Sequence, residues 1–73
     1  GKLCIKISES DKKVLPEILN VLKKYNGSAE PVFYLADSGK YVRPKNISGV
    51  EICEKSTEEL KKFINNKKIG WIG

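Results

Sequence analysis

Apolar and polar residues alternate near the start of the chain, where Leu3, Ile5 and Ile7 fall on one side of an extended segment. Cys4 and Lys6 fall on the other side. A period of two with β-branched residues predicts a strand with one buried face. Cys4 then lies on the opposite face, either under a helix or exposed.

The next segment has the apolar spacing of an amphipathic helix. Helix-starting residues at positions 8–11 precede it. The apolar stripe comprises Leu15, Ile18, Leu22 and Tyr25. Pro16 fits the first turn of a helix, so we expect the helix to begin between Asp11 and Leu15. Gly27 is expected to end it in the left-handed conformation.

A hairpin is predicted after this helix. Residues 32–36 are continuously apolar and favour β-structure, which predicts a central strand covered on both sides. Residues 37–39 read Asp-Ser-Gly and predict a turn with Gly39 at positive φ. Residues 40–43 return as a second strand, and Pro44 ends that strand or places it at an edge.

The following segment predicts a second helix. Residues 50–53 alternate again and are a candidate for a short strand. Ser56 followed by Glu59 is the pattern of a capping box, with Ser56 at the cap. The helix is expected to close near residues 65–66. Its inward-facing residues are predicted to be Leu60, Phe63 and Ile64.

The order of these elements predicts the fold class. Residues 69–72 are apolar and suit a last short strand, the alternative being a loose chain end. One small mixed or antiparallel sheet with two helices on one face buries both amphipathic stripes in a single core. We therefore expect residues 1–73 to form one two-layer α+β sandwich of the ferredoxin-like or split βαβ kind.

Length and charge narrow the classes of function. A chain of 73 residues forms one small domain. It contains no methionine, even at position 1, so we expect a piece excised from a longer protein. The net charge of +5 rests on lysines, with Arg43 as the single arginine. Sequence-specific DNA reading, which favours arginine, is therefore not expected. Solvated helix faces explain the lysine pairs better than a binding patch does, although both remain open.

Few residues have a pattern typical of catalysis or metal binding. The chain has no histidine, and the spacing of its two cysteines, Cys4 and Cys53, matches no metal motif. We interpret both as reduced structural cysteines, with a disulfide possible only if their strands are neighbours. Glu58 and Glu59 are adjacent carboxylates, but we interpret them as negative charges that favour the first turn of a helix and not as a catalytic pair. We expect no cofactor, metal, small-molecule substrate or membrane contact.

Several short motifs occur in a recognisable order. The chain reads Leu-Cys-Ile-Lys-Ile at 3–7, Leu-Lys-Lys-Tyr-Asn-Gly at 22–27 and Glu-Pro-Val-Phe-Tyr-Leu at 30–35. Gly-Lys-Tyr-Val-Arg at 39–43 and Ser-Thr-Glu-Glu-Leu at 56–60 follow. In this order and spacing, the motifs resemble the extreme C-terminal domain of the alpha subunit of bacterial DNA polymerase III. Cys4 and Asn26 depart from that family, which has an aromatic residue and a proline at these places.

The resemblance implies a non-catalytic module of a cytoplasmic bacterial polymerase, since the family's active site lies in upstream domains. In that family the C-terminal domain docks the tau subunit of the clamp loader, and the parent chain is a nucleotidyltransferase. Protein interfaces need aromatic or aliphatic anchors. We therefore expect Tyr41, Val50 and Trp71 to contact the partner, and Lys67 and Lys68 to steer association.

The alternative is a non-specific nucleic-acid-binding module that uses a basic sheet face. Tyr34, Tyr41 and Trp71 have lysines nearby in the sequence and could stack bases. Aromatic residues at strand spacing more often form core contacts or cross-strand pairs, so this alternative ranks second. A small enzyme domain ranks third, because no histidine or catalytic pair is evident.

Overall fold

The structure of the protein is a computed structural model that describes residues 1–72. Its elements are β1 (Lys2–Ile7), a 3₁₀ helix (Glu9–Val14), α1 (Leu15–Lys24), β2 (Asn26–Leu35), β3 (Lys40–Val42), α2 (Glu54–Lys61), a second 3₁₀ helix (Asn66–Lys68) and β4 (Ile69–Ile72). The strands and helices follow the predicted order, and the last short strand is formed.

The four strands form one mixed sheet in the order β3-β2-β1-β4. β1 and β2 are parallel, while β4 runs antiparallel to β1 and β3 runs antiparallel to β2. The two-layer α+β prediction is confirmed. β1 and β2, which α1 connects, are hydrogen-bonded to each other. Within the described sheet, no other strand lies between them, so this βαβ unit is not of the split kind.

The core lies between one face of the sheet and the two helices. Its buried residues are Leu3, Ile5, Ile7, Ile18, Val21, Leu22, Phe33, Val50, Leu60 and Ile64. The alternation predicted for β1 is confirmed, because the three odd-numbered apolar residues of that strand are all in this set. The stripe predicted for α1 contributes two fully buried side chains, and its outer members Leu15 and Tyr25 pack at the margin.

Helix α1 begins as predicted but ends differently. A 3₁₀ helix leads into it, and Pro16 occupies its first turn. Gly27 does not take the left-handed conformation, so that prediction was wrong; the chain passes directly from the helix into β2. A Cβ at Gly27 would lie only 2.5 Å from the backbone nitrogen of Glu51. Gly27 is therefore suited to a close approach between two backbones.

Strand β2 is central, but it is not covered on both faces as predicted. Ala29 and Phe33 point into the core, whereas Val32 and Tyr34 on the other face are only half-buried. The reason is that both helices pack on the same side of the sheet. The hairpin prediction is confirmed: Gly39 has φ of 69° in the turn, and β3 ends at Val42.

Two predictions for the α2 region were wrong in detail. Residues 50–53 form no regular strand; Val50 alone makes bridges, to Asn26 and Ala29. Helix α2 starts at Glu54 and is capped at Cys53, three residues before the predicted cap. Ser56 instead occupies the third helical position, where its Oγ accepts a hydrogen bond from the Cys53 N–H at 3.0 Å.

Helix α2 also ends earlier than predicted, at Lys61. Leu60 and Ile64 are buried as expected, but Phe63 is 36% exposed, so its predicted inward position was wrong. The Phe63 N–H bonds to the Leu60 carbonyl, three residues back, at 3.0 Å. This tighter turn places Phe63 on the flank of the helix layer.

Candidate docking surface on the open face and edges of the sheet

One face of the sheet carries no helix. Ile72 of β4 lies on this face opposite Lys2. On β1, β2 and β3, the side chains of this face, which alternate with those of the core, are Lys2, Cys4, Lys6, Glu30, Val32, Tyr34 and Tyr41. They range from half-buried to exposed, in contrast to the odd-numbered apolar residues of β1 behind them. We call these seven residues the open face.

The aromatic residues of the open face lie on β2 and β3. Tyr34 and Tyr41 are directly opposite in the register, and their ring centroids are 5.0 Å apart at an interplanar angle of 49°. Lys6 is the neighbour of Tyr34 on β1. Tyr41 is 69% exposed, so this pair leaves one aromatic ring largely accessible to a partner.

Glu30 offsets part of the positive charge on the open face. Its carboxylate lies 3.0 Å from the Arg43 guanidinium and 3.9 Å from the Lys2 ammonium. Both cations are well exposed, so these ion pairs stabilise the fold only slightly. The arginine that a phosphate ligand would prefer is therefore already engaged by a carboxylate.

Strand β4 forms the other edge of the sheet and carries exposed apolar side chains. Trp71 is 53% exposed and Ile72 is 63% exposed. Trp71 shares the core-facing side with Leu3 but lies at the outermost strand. A Cβ on Gly1 would come within 2.6 Å of the Trp71 ring, which therefore rests against the backbone at Gly1.

Of the predicted partner residues, Val50 does not lie on the surface. It is 1% exposed and packs in the core, because its backbone bridges hold it beside β2. The prediction of Val50 as an anchor was therefore wrong. Tyr41 and Trp71 are exposed as an anchor requires, but they lie on opposite edges of the sheet, so they do not form one patch.

The two predicted steering lysines differ in their surroundings. Lys67 is exposed. Lys68 is held by an ion pair, with its Nζ 2.6 Å from the Asp11 carboxylate and 3.1 Å from the Ser8 hydroxyl. Hydrogen bonds from Lys68 and Ser8 lower the pKa of Asp11 to about 2. The ion pair of Lys68 therefore links the start of β4 to the first 3₁₀ helix.

A second polar link joins the two helices. The Tyr25 hydroxyl donates a hydrogen bond to the Glu59 carboxylate, which also pairs with the Lys24 ammonium at 3.1 Å. The hydrogen bond to Glu59 raises the pKa of Tyr25 to about 12. Thirty-four positions separate Tyr25 from Glu59 in the chain, so no local pattern predicts their contact.

A depression of about 770 Å³ lies beside this link, at the start of α2. Its wall includes Cys53 and the carboxylates of Glu51, Glu54, Glu58 and Glu59. Hydrogen bonding from Ser56 lowers the pKa of the Cys53 thiol. Cys4 and Cys53 are both free thiols. Within the described residues, no group of three or more His, Cys, Asp or Glu side chains is arranged to hold a metal ion.

Two further findings bear on the class of protein. Among residues 1–72, no helix has the length and apolar character needed to cross a membrane. A scan against protein-family models, a search of curated proteins and a search of solved structures gave no match to this chain.

Proposed function

We propose that this domain is a non-catalytic docking module that another protein holds. The exposed apolar side chains of β4 carry the proposal. Trp71 and Ile72 leave more than half of their surface in water, and large aromatic and aliphatic side chains are the usual anchors of protein interfaces. A small domain gains nothing in its own stability from such exposure, so a partner that covers these residues is the simplest explanation.

The resemblance in the order of the motifs narrows the choice of partner protein. In the alpha subunit of bacterial DNA polymerase III, the C-terminal domain docks the tau subunit of the clamp loader. We propose the same role here: the domain ties a replicative polymerase to the tau subunit, and the polymerase chemistry belongs to other parts of the parent chain. The positive net charge favours a partner region rich in carboxylates.

Non-specific binding of nucleic acid is the second candidate, and the tyrosine pair favours it. Tyr34 and Tyr41 lie on an uncovered sheet face beside Lys6, as a base-stacking platform would require. The Arg43–Glu30 ion pair argues the other way, because it places a carboxylate where a phosphate would bind. We therefore rank docking above nucleic-acid binding.

Two titrations separate the candidates. The 73-residue chain is titrated with the C-terminal region of tau and, separately, with labelled single-stranded DNA, each at low and moderate salt. We expect saturable binding to tau that salt weakens only modestly, and negligible DNA binding at moderate salt. Affinity for DNA that falls steeply with salt, together with no binding to tau, would reverse the ranking.

A further inference from the structure

The outer side of β4 carries main-chain groups that the described chain leaves without a protein partner. β4 is the last strand of the sheet. Among residues 1–72, no loop or helix outside the sheet forms a backbone hydrogen bond with Gly70, Trp71 or Ile72. An edge of this kind is a template for one more strand.

The hydrogen bonds of β1 show which residues of β4 point outward. The carbonyls of Gly1 and Ile7 accept hydrogen bonds at 2.9 Å from the N–H groups of Glu30, within β2, and Ala36, just after it. In a strand, the main-chain N–H and C=O groups of successive residues point to opposite edges. The main-chain groups of the odd-numbered residues of β1 therefore form hydrogen bonds with β2, and those of the even-numbered residues form hydrogen bonds with β4.

This alternation fixes the direction of the β4 groups. Gly70 is opposite Cys4 and Ile72 is opposite Lys2, so the main-chain groups of both point inward to β1. The main-chain groups of Ile69 and Trp71 point outward. The Ile69 N–H is already bonded to the Asn66 carbonyl. Trp71 is therefore the residue of β4 that offers both an N–H and a C=O to a new strand.

The opposite edge of the sheet is protected in ways that β4 is not. β3 has only three residues, it carries Lys40, and Pro44 follows shortly after it. A lysine in the strand and a proline shortly after it both discourage strand addition. β4 contains Ile-Gly-Trp-Ile, with neither a charge nor a proline, so only this edge accepts a strand readily.

Charge and size decide between the possible occupants of the edge. A second copy of the domain would bring together two chains of net charge +5. The four residues of β4 span about 13 Å, too little for the roughly 1,200 Å² that a stable interface buries. An extended acidic segment needs only the edge itself, and the exposed Lys67 just before β4 attracts its carboxylates.

We propose that β4 binds an extended acidic segment of a partner protein as a fifth strand, with Trp71 exchanging two main-chain hydrogen bonds with it. Main-chain pairing supplies affinity in this mode, and the flanking side chains supply specificity. The proposal deepens the docking function and rests on it for the identity of the partner, while the mode of binding is testable without that identity.

The sharpest test removes one N–H and keeps every side chain. The 73-residue chain is synthesised with an ester in place of the Gly70–Trp71 amide, which deletes the outward Trp71 N–H. The matched control has an ester in place of the Ile69–Gly70 amide, which deletes the inward Gly70 N–H. Both are titrated with the tau C-terminal region and with a short capped peptide of alternating Val and Glu, after circular dichroism has established a temperature at which both are folded.

We expect the Trp71 ester to bind about tenfold more weakly than the natural chain, with a smaller fall in Tm than the Gly70 ester shows. The Gly70 ester is expected to melt earlier but to bind normally while folded. If tau binds and the Trp71 ester has no effect, the strand-addition proposal is overturned and the docking function stands. If only the acidic peptide binds, with the same sensitivity to the ester, strand addition stands and tau is the wrong partner. If neither probe binds, strand addition is overturned.

A charge reversal tests the acidic character of the segment. Lys67→Glu is expected to weaken binding of the Val-Glu peptide about threefold, whereas Lys40→Glu, on the opposite edge with the same change in net charge, is expected to leave it unchanged. A peptide of alternating Val and Lys should bind poorly. Equal binding of the acidic and basic peptides would contradict the proposed occupant.

Discussion

The two faces of the sheet are built from the same strands but have opposite surroundings. On β1, Ile5 is fully buried under the helices, while Cys4 on the other face is half-buried. On β2, Phe33 and Tyr34 show the same contrast. Both helices pack on one side, so a one-residue step along a strand moves a side chain from the core to the surface.

If the domain is a docking module as proposed, this difference assigns stability and recognition to separate parts of it. The helix-covered face holds the apolar cluster that keeps the chain folded. The open face and the outer strand β4 hold the exposed Tyr41, Trp71 and Ile72. Substitutions on the covered face are therefore expected to change the free energy of unfolding, and those on β4 to change binding.

The largest effect is expected from truncating a core side chain. Ile5→Ala should lower the free energy of unfolding by about 2–5 kcal/mol, because it leaves a cavity under the helices. Cys4→Ala, one position away on the open face, should cost less than about 1 kcal/mol. Urea denaturation of both variants checks the contrast. Equal losses would mean that the two faces are not distinct in the way the structure indicates.

The next largest effect is expected where two backbone segments lie very close together, at Gly27 and Gly49. A Cβ on Gly49 would overlap the Gly27 carbonyl oxygen, whereas on Gly70 it would meet nothing closer than 3.7 Å. Gly49→Ala is expected to cost about 1–3 kcal/mol, since two backbone segments must separate. Gly70→Ala should be close to neutral. Thermal unfolding of the pair measures the difference, and a Gly49→Ala variant as stable as Gly70→Ala would refute the close approach.

The Asp11–Lys68 ion pair is expected to have a smaller, pH-dependent effect. The pKa of Asp11 falls from 3.8 to about 2 in the folded chain, so its stabilisation is complete above the unfolded pKa and is lost as pH falls toward 2. Asp11→Asn should lower stability by about 1–2 kcal/mol at neutral pH. Near pH 2 the variant and the natural chain should unfold alike; a gap that stays constant with pH would rule out the ion pair as its cause.

The smallest effect concerns the hydrogen bond between Tyr25 and Glu59. This hydrogen bond raises the pKa of Tyr25 to about 12, so the bond stabilises the fold below the unfolded pKa of 10.0 and is lost as pH rises toward 12. Ultraviolet absorbance should show a late phenol titration, which Tyr25→Phe abolishes and Glu59→Gln moves to lower pH. Survival of the late step in Tyr25→Phe would assign it to another tyrosine.

Local periodicity was sufficient to predict much of the fold. The alternation at Leu3, Ile5 and Ile7 and the stripe around Ile18 and Leu22 are strong signals, because they follow directly from the geometry of strands and helices. The hairpin at Gly39 was equally clear, since its turn requires positive φ.

The predictions that failed depended on tertiary contacts. Gly27 had the pattern of a helix terminator, but its position reflects the nearby backbone of Glu51, which only the folded chain brings close. The spacing of Ser56 and Glu59 predicts a capping box with Ser56 at the cap, yet the cap lies at Cys53. Phe63 obeys helical spacing in a segment where the helix has already ended.

The candidate site was harder to predict than the fold. Residue type alone suggests Tyr41 and Trp71 as anchors, and both are exposed, whereas Val50 is buried because the alternation of residues 50–53 does not show which side faces the core. Lys68 is predicted to steer association, but it pairs with Asp11, which lies fifty-seven positions away in the chain. Sequence pattern predicts which residues are suited to an interface; sheet order decides which of them share an edge.

An NMR titration of the isotopically labelled chain with the tau C-terminal region tests the docking account most directly. The account predicts saturable shifts of the amide signals of Lys67, Gly70, Trp71 and Ile72, with those of Lys6, Val32, Tyr34 and Tyr41 little changed. Shifts confined to the second group, or no shifts at all, would contradict the claim that another protein holds this domain at β4.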